Sequence, residues 1–117
     1  MSGYYTLQTT KNDGFLFNLK AGNHETILTS QVYKSRQSAL DGIESVRNNS
    51  QLDSRFERRL AKDGSPYFLL LATNGQIIGQ SEMYSALAAM EKGIKSVVAN
   101  GPSQVIKTLN DAVAQTQ

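Results

Sequence analysis

Cysteine is absent from this chain of 117 residues, and histidine occurs only once. The lack of cysteine excludes disulfides, thiolate nucleophiles and cysteine metal sites. No apolar stretch approaches the length of a membrane span, and the first residues, MSGYYTLQTT, lack the basic start and apolar run of a signal peptide. The formal net charge of +2 is too small by itself to indicate binding to nucleic acid or to an anionic membrane. We therefore expect a cytoplasmic protein with no membrane segment.

Few residues in the sequence could carry out chemistry. His24 lies in a predicted turn and has no visible partner, whereas a general base needs a positioned partner and a metal site needs several convergent ligands. Asp13 and Asp63 each precede a glycine, a position where aspartate favours a tight turn. We therefore predict no catalytic residue, no cofactor and no metal, and we expect a protein that is not an enzyme.

An internal repeat organises the chain. Residues match at a constant offset of 51 positions without a gap, which indicates two consecutive copies of one structural unit. The matching pairs include Lys11/Lys62, Phe17/Phe68, Leu19/Leu70, Ala21/Ala72, Asn23/Asn74, Ile27/Ile78, Ser30/Ser81, Tyr33/Tyr84, Gly42/Gly93, Ile43/Ile94, Ser45/Ser96, Val46/Val97 and Asn49/Asn100. The Asp-Gly pair at 63–64 lies one position earlier than the pair at 13–14 predicts, a slip that a hairpin turn can absorb. We place the two copies at 3–52 and 54–103.

Each copy combines three short strands with one helix. Alternating apolar and polar residues predict strands at 4–10, 15–21, 26–31, 55–62, 66–73 and 76–81. Helical spacing follows from 35 and again at about 86–99, with Ser35 and Ser85 available as N-caps. A glycine lies within each predicted helix, and we expect Gly42 and Gly93 to let the helices approach the sheet or each other closely.

The repeated signature is specific enough to suggest a family. In the second copy it comprises Asp63, Gly64, Phe68, Leu70, Ala72, Asn74, Gly75, Ile78, Ser81, Tyr84, Gly93, Ile94, Ser96, Val97 and Asn100. This pattern resembles the bacterial YegP-like family, a tandem-repeat domain of unknown function. The resemblance implies one sheet with exchanged terminal strands, so that 105–109 would cross to the other repeat. It brings no established activity, and the first copy departs from it by having His24 where Gly75 stands.

These observations predict an α+β fold. Two tandem βββα repeats would form one mainly antiparallel sheet with both helices on one face, and the single domain would span 1–110. From the residues alone, 105–109 could be a strand or the start of a terminal helix. We expect 111–117 to be a flexible tail.

The second strands of the two copies differ on the face that points away from the predicted core. The first copy has Leu16, Asn18 and Lys20 there, whereas the second has Tyr67, Leu69 and Leu71. If both helices cover the other face, these three apolar residues form a patch, and such patches often mark interfaces or ligand grooves. The alternative is that the tail or 105–109 covers the patch.

Basic residues cluster in the first strand of the second copy. Arg55, Arg58, Arg59 and Lys62 could contact nucleic acid, and such binding would weaken as salt increases. Their positions alternate between the two faces of the predicted strand, however, and a charged edge strand also discourages unwanted pairing. Our first hypothesis is therefore a non-enzymatic binding or assembly module that forms a homo-oligomer or binds a protein partner through Tyr67, Leu69 and Leu71. The alternative is a weak nucleic-acid-binding protein.

Overall fold

The computed structural model describes residues 3–109, which form seven strands and two α-helices. The first copy contributes β1 (Tyr4–Thr9), β2 (Phe15–Lys20), β3 (Thr26–Ser30) and α1 (Arg36–Asn49). After a one-turn 3₁₀ helix (Asp53–Arg55), the second copy contributes β4 (Phe56–Leu60), β5 (Pro66–Leu71), β6 (Ile77–Gln80) and α2 (Leu87–Asn100). The last described element is β7 (Ile106–Thr108).

All seven strands form one sheet in the order β4-β5-β6-β3-β2-β1-β7. Neighbouring strands pair antiparallel except β1 and β7, which are parallel. The two copies meet where β3 pairs with β6, through Thr29 opposite Gln80. The α+β fold predicted from the sequence is confirmed, and so is the terminal strand that the family resemblance implied would cross to the other repeat.

One hydrophobic core is shared by both copies. Buried residues from both helices pack against the same face of the sheet, and they are Ala39, Ile43 and Val46 from α1 and Met90, Ile94 and Val97 from α2. Their counterparts on the sheet include Phe17 and Leu19 of β2 and Phe68 and Leu70 of β5. Both helices therefore cover one face, and we call the opposite side of the sheet the open face.

The first hairpin turns of the two copies align at the offset of 51. The one-residue shift of the turn that we expected from the Asp-Gly pair is therefore wrong. The amide of Asp13 donates to the carbonyl of Thr10, and the amide of Gly64 donates in the same way to Ala61. Asp13 and Gly64 both have positive φ, at 61° and 87°. Aspartate tolerates the left-handed conformation better than most residues, so it replaces glycine at this turn without a change of length.

The repeated tyrosine and glycine explain how the helices approach the sheet. Tyr33 stacks on Phe17 and Tyr84 stacks on Phe68, with interplanar angles of 12° in both copies. A Cβ atom at Gly42 would lie 2.8 Å from Cζ of Tyr33, and one at Gly93 would lie 2.6 Å from Cζ of Tyr84. Each glycine therefore makes room for a tyrosine ring between helix and sheet, the close approach that we expected.

The repeated polar residues hold the backbone. Ser30 accepts a hydrogen bond from the amide of Phe17 and donates to the carbonyl of Gln31, and Ser81 makes the equivalent two bonds. Asn49 and Asn100 each donate to the carbonyl four residues earlier in their helix. The polar part of the signature is thus explained by local structure.

The predicted N-cap of the second helix is wrong. Ser35 caps α1 by accepting a hydrogen bond from the amide of Ser38. In α2 the capping position is Ala86, which has no side-chain acceptor, and Ser85 lies one residue too early. The offset of 51 maps Ser35 onto Ala86, so the shared backbone overrides the local preference for serine.

Candidate interaction surfaces

The residues predicted to form an interface lie together on the open face of β5. Tyr67 and Leu71 are half-buried, whereas Leu69 is only 3% exposed and lies between Glu57 of β4 and Gln80 of β6. Leu71 faces Ile77 across the strand pair, and Ile77 is 39% exposed. We call Tyr67, Leu69, Leu71 and Ile77 the apolar patch. The accessible surface of the patch comes from Tyr67, Leu71 and Ile77, because Leu69 is shielded by its neighbours.

The equivalent surface of the first copy is polar. Asn18 donates to the hydroxyl of Thr29 at 2.8 Å, and the amino group of Lys20 donates to the hydroxyl of Thr26 at 2.6 Å. Lys20 and Thr26 correspond at the offset of 51 to Leu71 and Ile77. The open face is therefore divided into a hydrogen-bonded polar half and an apolar half on one continuous sheet.

A groove of about 490 Å³ borders the apolar patch where the two copies meet. Its lining includes Thr29 of β3, Ile77 and Gln80 of β6, and Glu82 and Met83, which follow β6. Met83 is one of the exposed large apolar side chains of the protein. The groove extends the apolar surface toward the centre of the sheet.

The segment 105–109 does not cover the patch, because β7 pairs with β1 at the opposite edge of the sheet from β5. The other candidate cover, the predicted flexible tail at 111–117, lies outside the described residues. Within the described range, both helices pack on the other face. Nothing described in residues 3–109 therefore forms a second layer over the patch.

The four predicted nucleic-acid contacts do not form one cationic surface. Arg58 lies on the helix-covered side and binds Glu91 of α2 at 2.6 Å and Asp53 at 3.2 Å. Arg59 lies on the open face opposite Tyr67 and pairs with Glu57 of its own strand. Arg55 donates to the side-chain oxygen of Asn49 at 3.0 Å. Lys62 is exposed in the turn after β4.

The ion pairs of Arg58 are reflected in its electrostatics. Its hydrogen bond to Glu91 raises the pKa of the guanidinium, and the same bond lowers the pKa of the Glu91 carboxyl. The pairing therefore stabilises both charged forms. Sequence reasoning missed Glu91, although the offset offered a signal: Leu7 and Leu40 of the first copy become Arg58 and Glu91 in the second.

The remaining candidates occupy turns. His24 has a φ of 73°, and its Nδ1 shares a hydrogen bond of 2.8 Å with the hydroxyl of Tyr4. Asp63 accepts a hydrogen bond from the amide of Ser65, which lowers the pKa of its carboxyl. Within residues 3–109 there is no cluster of three or more acidic or histidine side chains that could hold a metal ion. Neither α1 nor α2 is long and apolar enough to cross a membrane.

Comparison with known proteins identifies the family. The profile of DUF1508, described as a domain of unknown function, matches twice, at residues 10–57 and 61–107. A UPF0339 protein of Bordetella pertussis is 53% identical over 96% of this chain and 100% of its own length. The UPF0339 protein YegP of Escherichia coli is 50% identical over 92% of this chain and 97% of its own length.

Solved structures of two relatives have the same fold. The solution NMR structure of a UPF0339 protein from Shewanella oneidensis has a TM-score of 0.89 at 52% identity, covering 94% of this chain and 93% of the other. That of the Escherichia coli protein yegP, described as a protein of unknown function, has a TM-score of 0.89 at 49% identity, covering 94% and 95% of the two chains. The chain carries two matches to DUF1508 and belongs to the UPF0339 family.

Proposed function

We propose that this protein is a non-enzymatic binding or assembly module that contacts other protein surfaces, including further copies of itself, through the apolar patch. The observation that carries the proposal is the division of the open face. Copy one fills the equivalent positions with hydrogen-bonded Lys20 and Thr26, whereas copy two leaves Leu71 and Ile77 facing outward. Removing such apolar surface from water stabilises a complex in rough proportion to the area buried.

The use of the repeated polar residues supports a role without catalysis. Ser30, Ser81, Asn49 and Asn100 are among the hydroxyl and amide groups that recur in both copies, and each is engaged with backbone groups of the fold. A nucleophilic serine would need an activating base within hydrogen-bonding distance instead. A cytoplasmic setting is part of this proposal.

The experiment transplants the polar pair of copy one onto copy two. The double variant Leu71→Lys, Ile77→Thr introduces two side chains that already form a hydrogen bond on the same backbone in copy one. We expect the wild type to self-associate in sedimentation velocity at millimolar concentration and the variant to self-associate measurably less. Circular dichroism and an amide NMR spectrum would verify that the variant is folded.

The reciprocal variant provides the matched control. Lys20→Leu with Thr26→Ile creates a second apolar patch, so its self-association should exceed that of the wild type. Equal self-association of wild type and both variants at millimolar concentration, or none in any of them, would overturn the self-association form of the proposal. A protein partner would then be sought with the same pair of variants, and a partner that binds both equally would contradict a role for the patch.

Nucleic-acid binding is the alternative proposal, and its basis is weaker. Three of the four basic residues, Arg55, Arg58 and Arg59, have acidic or amide partners, and Arg58 and Arg59 point to opposite sides of the sheet. Binding through these residues predicts an affinity for DNA or RNA that falls as salt increases. The absence of any mobility shift at low ionic strength would remove this alternative.

A further inference from the structure

The two outer edges of the sheet are treated differently. On one side, β7 pairs with β1 through the amide of Tyr5, which donates to Val105, and the carbonyl of Leu7, which accepts from Leu109. On the other side β4 is the last strand, and within residues 3–109 no strand pairs with its outer edge. The offset of 51 maps Tyr5 onto Phe56 and Leu7 onto Arg58. The pairing of β7 with β1 therefore indicates which groups of β4 are available to pair with another strand.

The surface of the first copy against which β7 packs is apolar at its centre and basic at both ends. Leu7 is 1% exposed, and Leu40 of α1 packs against the same core. At the flanks, Arg36 donates to the hydroxyl of Thr108 at 3.2 Å and Arg47 donates to the carbonyl of Ser103 at 2.9 Å.

The corresponding surface beside β4 in the second copy is charged at its centre and apolar at both ends. Its centre is the ion pair of Arg58 and Glu91, which replaces Leu7 and Leu40. Its flanks are apolar, because Leu87 and Val98 replace Arg36 and Arg47. Leu87 is 62% exposed and Leu60 is 64% exposed, and both line a groove of about 470 Å³ between β4 and the start of α2.

We infer that β4 of a second copy binds at this surface. It pairs antiparallel with β4 of the first copy about a twofold axis through Arg58. A strand that fits must be charged in the middle and apolar at its ends on the helix side. β4 itself has this pattern, since Phe56 and Leu60 flank Arg58. A twofold axis makes the interface self-complementary, the commonest arrangement in dimers of identical chains.

Charge complementarity on the open face favours this register. Pairing about Arg58 places Glu57 of one copy opposite Arg59 of the second, and it does so twice by symmetry. Opposite charges that face each other across strands stabilise antiparallel pairing. On the helix side, Phe56 of each copy faces Leu60 of the other. The two central Arg58 side chains face each other as well, but each already has Glu91 and Asp53 as partners.

The backbone of β4 is compatible with the same register. By equivalence with Tyr5 and Leu7, the peptide groups of Phe56, Arg58 and Leu60 point outward. The amide of Phe56 is already bound to the carbonyl of Asp53 in the 3₁₀ turn. The pairing needs the amides of Arg58 and Leu60 and the carbonyls of Arg58 and Phe56, so it does not lose a bond that the turn requires. The dimer would join two sheets into one.

Charge reversal tests the register. In Glu57→Arg or Arg59→Glu, like charges would face each other across the twofold axis, and we expect the dimer dissociation constant from sedimentation equilibrium to rise about tenfold or more, since like charges directly opposite destabilise strand pairing. The double variant Glu57→Arg, Arg59→Glu restores opposite pairs and should restore the dimer. Glu57 and Arg59 also pair within one strand, so the variants could destabilise the monomer instead of the dimer. Circular dichroism would establish that the monomers remain folded.

Two further variants separate this interface from the apolar patch. Leu60→Thr introduces the residue that copy one has at this place, Thr9, and should weaken the edge dimer. Leu71→Lys with Ile77→Thr should leave it unchanged. A monomeric wild type at millimolar concentration, or a dimer indifferent to both charge reversals, would overturn the edge interface. A dimer lost only in Leu71→Lys with Ile77→Thr would also overturn it, while supporting association through the patch.

Discussion

The edges of β1 and β4 present two solutions to the same physical problem. An outermost strand carries unpaired peptide groups that invite pairing with other chains. At β1 the chain covers the edge with its own β7, and the residues beneath, Leu7 and Leu40, are apolar. At β4 no described strand covers the edge, and the equivalent residues are the charged pair Arg58 and Glu91. The comparison shows that whether an edge is covered, and not the shared repeat, decides which side chains its strand can carry.

The largest expected effect comes from exchanging a residue between the edges. Leu7→Arg would place on β1 the residue that β4 has at this position, but it would be buried beneath β7 and lack an acidic partner, because position 40 is leucine. We expect the free energy of unfolding to fall by about 3–5 kcal/mol, as for other buried charges without a partner. Urea denaturation followed by circular dichroism would measure the change.

The mirror variant is the control. Arg58→Leu removes a charge from the partly exposed edge strand β4. Surface ion pairs contribute only about 0–1 kcal/mol, so its effect on unfolding should be correspondingly small. Similar losses in Leu7→Arg and Arg58→Leu would show that the two edges are not different environments, and the comparison would fail.

An intermediate effect is expected at the hairpins that lead away from these edges. Asp13 and Gly64 occupy the same left-handed position. Asp13→Gly removes the strain of a side chain in that conformation but adds freedom to the unfolded chain, so we expect a gain in stability of about 0.5–1 kcal/mol. Gly64→Asp should lose a similar amount. Thermal denaturation of both variants would check this. A loss of stability in Asp13→Gly together with a gain in Gly64→Asp would show that local hydrogen bonds matter more than backbone strain.

The smallest effect is the pH dependence of the ion pair at the β4 edge. The hydrogen bond from Arg58 lowers the pKa of Glu91 in the folded protein. Its stabilisation is therefore complete above the unfolded pKa of about 4.3 and is lost as pH falls through the lower folded value. The carboxylate is partly exposed, so the slope should be small. Stability measured from neutral pH downward should show this slope in the wild type and a weaker one in Arg58→Leu.

The repeat and its elements were predictable from the sequence because they depend on local periodicity. Apolar residues two apart indicated the strands, and Ala39, Ile43 and Val46 indicated the buried stripe of α1. The errors arose where one residue was matched to its role by type alone. Ser85 was expected to cap α2, and Asp13 was aligned with Asp63, yet in both cases the residue at the offset of 51 has the role.

The candidate surfaces were predictable only in part. The alternation of β5 correctly placed Tyr67, Leu69 and Leu71 on the open face, because side chains of a strand point to opposite faces in turn. Alternation does not reveal burial, and Leu69 is shielded by residues of β4 and β6. Ile77, which supplies exposed apolar surface, belongs to the next strand and was not recognised.

By itself the sequence determined that the chain is a duplicated α+β unit and which side of each strand faces the helices, since both follow from short-range spacing that any fold of these segments must respect. Tertiary structure alone decided that β7 covers β1 while no strand within residues 3–109 covers β4, and that Arg58 binds Glu91. The carboxylate and the guanidinium are 33 positions apart, and which strand lies at an edge depends on how the whole sheet is ordered. Such contacts between distant segments have no signature in local periodicity.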